Sequence, residues 1–327
     1  MKTALISGVT GQDGAYLAKF LHEKEYNVVG LVIDKLNLDT DNLQYLQLEN
    51  LITLENVDLL SMSSITQIIE KYNPDEIYHL AAQSSVGMSF QKPYETISLN
   101  IMSTTNFLEA IRKVNPKIRF FHPSSGDMYG TLKKEDMPVT ESSILRPISP
   151  YGASKVSSHY ITINYREAYD LFCTCAILFN HESALRGKNF VIKKVLNTAV
   201  KISMGLANSL KIGNMTVYRD WGYAPFYVKA FYQMLQQDKP NDYIICSGEA
   251  HCLEEFVNEI FNNLNLDRDK YLDFDKSLLR PSDFDILYGD NTKAKNKLGW
   301  EYNMSFKELI NTLVEDEKKY VKWEIGQ

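Results

Sequence analysis

The chain has 327 residues, 44% of them hydrophobic and 23% charged, and a formal net charge of −6 from 35 basic and 41 acidic side chains. These values are ordinary for a soluble globular chain and long enough for about two domains. The acid excess argues against a nucleic-acid surface and against docking on anionic lipid, yet leaves room for a small anionic ligand held by local Arg and Lys. No window approaches the roughly 18 continuous apolar residues of a membrane span, and MKTALISG runs into a glycine motif rather than a signal peptide.

From the N-terminus, apolar runs predict strands at Thr3–Ile6, Asn27–Ile33, Leu51–Val57, Glu76–Leu80, Arg119–His122 and Leu171–Phe179. Between them, helical periodicity predicts helices over Ala15–Glu25, Ser64–Lys71, Ile97–Val114 and Pro150–Tyr169. Strands alternating with helices imply an α/β fold, a Rossmann-type doubly wound parallel sheet. After about residue 180 the alternation weakens. Helices are expected over Val191–Met204, Tyr227–Gln237, Leu253–Leu264 and Ser305–Glu315, with a short strand at Asp242–Cys246. We read a dinucleotide-binding domain at 1–180, to which 216–243 returns, and a smaller mixed α/β substrate-binding domain from 181–215 and 244–327. The four cysteines lack zinc-site spacing, and Cys173 and Cys175 share one face of an apolar strand as small buried hydrophobes. No metal is expected, and the compartment is read as a reducing cytoplasm.

Gly8, Gly11 and Gly14 stand between the first strand and the first helix. Glycines there let backbone approach a pyrophosphate, which the helix N-terminus favours. Asp34 follows the second strand, twenty residues after Gly14. It can accept hydrogen bonds from the adenosine ribose and repel a 2′-phosphate, which favours NAD over NADP; the bland alternative is a solvated strand end. Asp58, closing the third strand region, either holds the adenine amino group or makes a plain turn. In SPYGASK, Tyr151 and Lys155 share one helix face. A phenol near pKa 10 is a poor base at neutral pH, and a nearby ammonium favours the phenolate. After the fifth strand, HPSSGDMYG carries Ser125 and Asp127 where ligands bind in open α/β sheets. Ser125 can donate to a substrate oxygen beside Tyr151. Asp127 can move protons, or merely form a turn after Gly126.

With these residues in place, the chain resembles the GDP-mannose 4,6-dehydratase family of extended short-chain dehydrogenase/reductases. The likeness rests on GVTGQDGAYLA at 8–18, PDEIYHLAAQSSV at 74–86, SPYGASK and INYREAY within 149–169, ILFNHES at 177–183, RGKNFVIKK at 186–194, IGNMTVYRDWG at 212–222 and ILYGDNTKAKNKLGW at 286–300. The resemblance implies that Thr10, Gln12, Asp13, Leu59, Leu80, Ala81, Ala82, Gln83, His181 and Arg186 join the glycines and acids around the cofactor. It implies that Ser84, Ser85, Asn180 and Asn189 face substrate, and that Lys194, Arg219 and Arg280 clamp a nucleotide diphosphate. It also implies a homodimer or homotetramer, commonly through the helices Ile97–Val114 and Pro150–Tyr169.

The chain departs from the family pattern at four places. A Thr-x-Glu pair reads Ser125-Gly126-Asp127, one methylene shorter. An Arg pair after the second strand reads Ile33-Asp34, an Arg in the next loop is Asn42, and Ala-Lys/Arg-Asp-Tyr is Ala224-Pro225-Phe226-Tyr227. The expected reaction is 4,6-dehydration of GDP-mannose or a related GDP-sugar with NAD. Two alternatives stand beside it: a C4 dehydrogenase, 4-keto reductase or epimerase that needs no C5 base, and a non-catalytic NAD-sensing protein on the same fold.

Overall fold

The computed structural model describes residues 1–36, 38–279 and 281–326. Seven strands form one parallel sheet: β1 Thr3–Ser7, β2 Asn27–Val32, β3 Thr53–Asn56, β4 Glu76–His79, β5 Arg119–Ser125, β6 Cys173–Leu178 and β7 Tyr243–Ile245. Their order is β7-β6-β5-β4-β1-β2-β3. The direction of winding therefore reverses at β1, which pairs β2 on one side and β4 on the other. A crevice opens there at the carboxyl ends of the strands, beyond Ser7 and His79.

Alternation along each strand divides the core between the two sheet faces. Ala4, Ile6 and Phe121 join Leu17 and Leu21 of the helix Gln12–Glu23 and Phe231 of the helix Ala224–Leu235. Their neighbours Leu5 and Phe120 point the other way, onto Ile65, Phe107 and Ile111 of the helices Met62–Tyr72 and Pro93–Val114. Each fully buried large apolar side chain contributes roughly 1.5–3 kcal/mol. A separate apolar cluster is built from Val195, Leu196, Phe256, Ile260, Leu309 and Leu313 of the helices Val191–Ser203, Leu253–Asn263 and Phe306–Ile325.

Element ends are set by local chemistry. The Ser149 hydroxyl accepts from Gly152 N, Pro150 occupies the first turn, and Asp170 ends the helix Pro150–Tyr169 in the left-handed region. Ser305 and Glu308 form a capping box that starts the last helix, which runs to Ile325 rather than stopping at Glu315 because Glu317, Tyr320 and Val321 are also buried. β5 extends past the expected His122 to Ser125. Pro123 is tolerated because it lies beyond the last β4 pair, Tyr78 with Phe121, where β6 is the remaining partner. Short helices at Val86–Gln91 and Thr292–Leu298 and short strands at Asn180–Glu182 and Trp221–Tyr223 were not anticipated, since each is too brief to show a period.

Candidate active site

The crevice is a cleft of about 630 Å³ whose wall runs from the glycine loop to the second apolar cluster. At one end stand Gly8, Gly11 and Gly14. Gly8 has φ +73°, and a Cβ on Gly14 would lie 2.2 Å from the Gly8 carbonyl oxygen. Bare backbone is therefore obligatory at both positions, and the first turn of the helix Gln12–Glu23 faces the cleft uncovered by side chains at these glycines. This is the cradle that a dinucleotide pyrophosphate requires. Leu80, Ala81 and Ala82 form the facing wall at the end of β4. Ser7 Oγ ties the two strand ends together, bonding His79 Nδ1 at 2.7 Å and accepting from Ala81 N at 3.2 Å.

At the centre of the cleft stand Ser125, Asp127, Tyr151 and Lys155. Ser125 ends β5, and its hydroxyl both donates to Asp127 Oδ2 and accepts from Asp127 N at 3.2 Å. The helix Pro150–Tyr169 starts at the cleft, so Tyr151 and Lys155 lie on its inner face, 8% and 4% exposed. Burial pushes the Tyr151 phenol up, and the Asp127 carboxylate adds to that; the Ser125 hydrogen bond and the Arg186 charge act against it. Burial also pushes the Lys155 ammonium down, to about 8. Lys155 Nζ donates to the Pro123 carbonyl at 2.8 Å and sits 5.9 Å from the centre of the Tyr151 ring. The expected ammonium–phenolate pairing is thus not formed directly. Helical spacing put both residues on one face, but the desolvation of both outweighs their mutual attraction.

Gln12, Asp13, His181, Glu182 and Arg186 form a polar junction beside the glycine loop. His181 Nε2 lies 2.9 Å from both Asp13 oxygens, and its Nδ1 lies 2.7 Å from the Phe179 carbonyl. Arg186 stacks on the Phe190 ring at 3.9 Å and faces Glu182 at 3.6 Å. Burial raises the Glu182 carboxyl above its ordinary value. On the far side Ser84, Ser85, Asn180, Asn189, Lys194 and Arg219 line the cleft. Arg219 is held by Asp283 at 2.5 Å and packs over Phe284 at 3.9 Å, so a phosphate there would share the guanidinium with that acid. The Ser85 hydroxyl accepts from Met88 N, capping the helix Val86–Gln91.

Five expected residues lie outside the wall that the described residues form. Asp34 Oδ1 accepts from Leu36 N and Asp58 Oδ1 from Leu60 N, both in exposed turns. The carbonyl of Leu59 accepts from Asn106, and that of Thr10 from Asn42. Gln83 works from behind the wall: its amide donates to Thr96 Oγ1 at 2.9 Å and its carbonyl accepts from Ser85 N at 2.6 Å, fixing the loop that presents Ser84 and Ser85. Arg280 lies outside the described residues. The residue-by-residue reading missed Phe179, Glu182, Phe190, Lys211, Asn214 and Asp283, all in the wall. Phe179, Glu182, Phe190 and Asn214 sit inside the quoted motifs and Lys211 beside one, whereas nothing in the sequence marks Asp283.

A model of the family described as GDP-mannose 4,6 dehydratase matches residues 5–313. The Arabidopsis thaliana protein GDP-mannose 4,6 dehydratase 2 is 39% identical over 99% of this chain and 88% of its own length. The structure of dTDP-glucose 4,6-dehydratase from Bacillus anthracis in complex with NAD superposes with a TM-score of 0.85 at 20% identity, covering 99% of this chain and 98% of that one. That of RMD from Pseudomonas aeruginosa complexed with NADPH gives 0.82 at 22% identity, covering 98% and 99%. The two structures share the fold, and the sequence matches decide the family: the chain belongs to the GDP-mannose 4,6-dehydratase family.

Proposed function

We propose that the protein is an NAD-dependent nucleotide-sugar 4,6-dehydratase acting on GDP-mannose or a related GDP-sugar. The observation that carries this reading is the convergence of Ser125, Asp127, Tyr151 and Lys155 on one cleft with the glycine cradle. In this reading Ser125 donates a hydrogen bond to the C4 oxygen and Tyr151 takes the C4 hydroxyl proton as a phenolate; burial holds it as the phenol in the cofactor-free site, and the positive charge of an oxidised nicotinamide would favour its ionisation. A nicotinamide held by the glycine cradle and Lys155 would supply the hydride chemistry that oxidises C4 and reduces C6. The C4 ketone acidifies the C5 proton; Asp127 removes it and passes it to the C6 hydroxyl, which leaves as water, and the proton held by Tyr151 returns to the sugar at C5 when C6 is reduced. Lys155, anchored on the Pro123 carbonyl, fixes the inner face of its helix and is in reach of a nicotinamide ribose.

We assign Gly8, Gly11, Gln12, Asp13, Gly14, Leu80, Ala81, Ala82, His181 and Arg186 to the cofactor side, and Ser84, Ser85, Asn180, Asn189, Lys194 and Arg219 to the nucleotide sugar; their common place in the cleft wall supports this reading. We take NAD over NADP because Asp34 follows β2. The carboxylate one methylene short of the family's glutamate favours the second reading, a C4 dehydrogenase, 4-keto reductase or epimerase. In the two-domain division we set the boundary after Ile245, a choice supported by the pairing of β7 with β6 in the sheet. We propose a homodimer through the helices Pro93–Val114 and Pro150–Tyr169, which expose Tyr94, Ile97, Met102, Tyr160 and Tyr169. Asn42 is engaged within its own chain, by Thr10 and Leu185 carbonyls, which supports a dimer over a tetramer. Among the described residues no helix is long and apolar enough to cross a membrane; we propose a reducing cytoplasm as the compartment, and the four free thiols support it. Incubation of the purified protein with GDP-mannose and other GDP-sugars, followed by mass spectrometry, tests the reaction. A product lighter by one water supports it; redox without water loss selects the second reading.

A further inference from the structure

Asp13 is an acid at a place built for an anion. It occupies the first turn of the helix Gln12–Glu23, between Gly11 and Gly14, and lines the cleft with them. The positive end of a helix is worth only about half an elementary charge. One carboxylate there more than cancels it. A dinucleotide pyrophosphate brings further negative charge to the same pole, so Asp13 taken alone would oppose the cofactor that the proposed function requires.

The surroundings resolve the conflict. His181 is 5% exposed, and both its ring nitrogens face acceptors: the Asp13 carboxylate on one side and the Phe179 carbonyl on the other. Burial alone would raise the Asp13 carboxyl, but the His181 and Arg186 charges and the hydrogen bonds of His181 and Gln12 hold it below its ordinary value. Neither the Asp13 carboxylate nor the Phe179 carbonyl can donate, so the geometry offers an acceptor to each ring nitrogen, the arrangement that an imidazolium satisfies in full. The second acid of the junction, Glu182, has its own base in Arg186. The Arg186 charge reaches both carboxylates, while His181 is the base in direct hydrogen-bond contact with Asp13. Tyr227 stacks on the imidazole at 4.4 Å and 21°, and Gln12 donates to both Asp13 and the His181 carbonyl, so the pair is held in a fixed geometry.

We propose that His181 is a positioning residue whose positive charge cancels Asp13, leaving the glycine-loop pole able to accept the pyrophosphate of a dinucleotide. The pair also ties the loop to the strand Asn180–Glu182, so the cofactor seat and the Asn180 wall of the substrate cleft move as one. The inference rests on the cofactor reading given above.

The test is equilibrium binding of NADH, followed by its fluorescence, to the wild type and to His181→Gln, Asp13→Asn and the double variant. Thermal melts of the cofactor-free proteins report folding. Charge cancellation predicts that His181→Gln weakens NADH binding by about tenfold or more, because an unmatched carboxylate faces the pyrophosphate at low effective dielectric. Asp13→Asn alone should bind NADH as tightly as the wild type or more tightly. The double variant should recover to within about threefold of the wild type, since it removes both charges together. If the pair is only a structural tie, Asp13→Asn loses affinity as His181→Gln does and the double variant is no better than either, which overturns the inference. Asp13→Asn decides the matter even where His181→Gln fails to fold. A wild type that binds no dinucleotide overturns the cofactor reading and this inference with it, whereas losses in the variants alone leave the cofactor reading standing.

Discussion

The Ser125 hydroxyl donates to the Asp127 carboxylate at 3.2 Å, so the proposed hydrogen-bond donor at C4 and the proposed base at C5 are one hydrogen-bonded unit. Their spacing of two residues, with Gly126 between, brings this about: Ser125 ends the strand and caps the turn that carries Asp127. In the resting site the one serine proton is shared between Asp127 and Tyr151. When a sugar C4 oxygen takes that proton instead, Asp127 loses a donor and becomes a stronger base as the ketone forms.

This coupling predicts the behaviour of the Asp127 series. Asp127→Asn should abolish water loss from a GDP-sugar, a fall of about a hundred- to ten-thousand-fold, while still allowing NADH to form as C4 is oxidised. Tyr151→Phe should block both steps, because no ketone arises. Asp127→Glu should keep or raise dehydration by restoring one methylene of reach. Absorbance at the NADH band and product mass separate the outcomes. A wild type that never releases water, with Asp127→Asn oxidising C4 equally well, would hand the site to the second reading.

Asp34 gives a prediction on cofactor choice. It stands in the exposed turn after β2, its carboxylate held by the Leu36 amide at 2.9 Å. A 2′-phosphate entering that turn would meet a fixed negative charge. Titration of the cofactor-free protein should show tighter binding of NAD(H) than NADP(H), and Asp34→Ala should narrow the gap. A wild-type preference for NADP(H) would sink the assignment.

Light scattering should give at least a dimer at micromolar concentration. The helices Pro93–Val114 and Pro150–Tyr169 pack on each other and cover one sheet face, yet leave Tyr94, Tyr160 and Tyr169 about half exposed or more. Burying such aromatic area is what a second copy would supply. A monomer at that concentration contradicts the proposal.

The main sheet was legible because its information is periodic and local. Six of its strands were expected in it, and the seventh was expected as a strand of the smaller domain; several β-α steps carry their own capping residues, such as Ser149 before Pro150 or Ser61 before Met62. The site was legible where a motif is short and backbone-driven, as at Gly8 to Gly14 and Tyr151 to Lys155. It was not legible where chemistry depends on partners far apart in sequence. Asp13 meets His181 across 168 positions and Arg219 meets Asp283 across 64, and no spacing rule connects them. The sign of the Tyr151 shift was missed for a similar reason. Spacing shows that a lysine is near, but only the packed structure shows that burial dominates.

Burial of Lys155 makes the last prediction, on stability against pH. Its folded value lies at about 8, below the ordinary 10.5. Between those values the unfolded chain binds the proton and the folded protein does not. Stability therefore rises with pH across that window, because the cost of burying the ammonium is relieved as it deprotonates. Below pH 8 both states hold the proton, and the penalty is constant at its full size. The slope should approach about 1.4 kcal/mol per pH unit in mid-window. Tyrosines and surface lysines titrate there too, so the measurement is a difference. Denaturant unfolding of the cofactor-free wild type and of Lys155→Met should be compared from pH 7 to pH 10.5. The wild type should gain on the variant only above about pH 8. A constant difference across the range would mean that Lys155 keeps its ordinary affinity for the proton despite its burial, and that the Pro123 carbonyl stabilises the ammonium enough to offset desolvation.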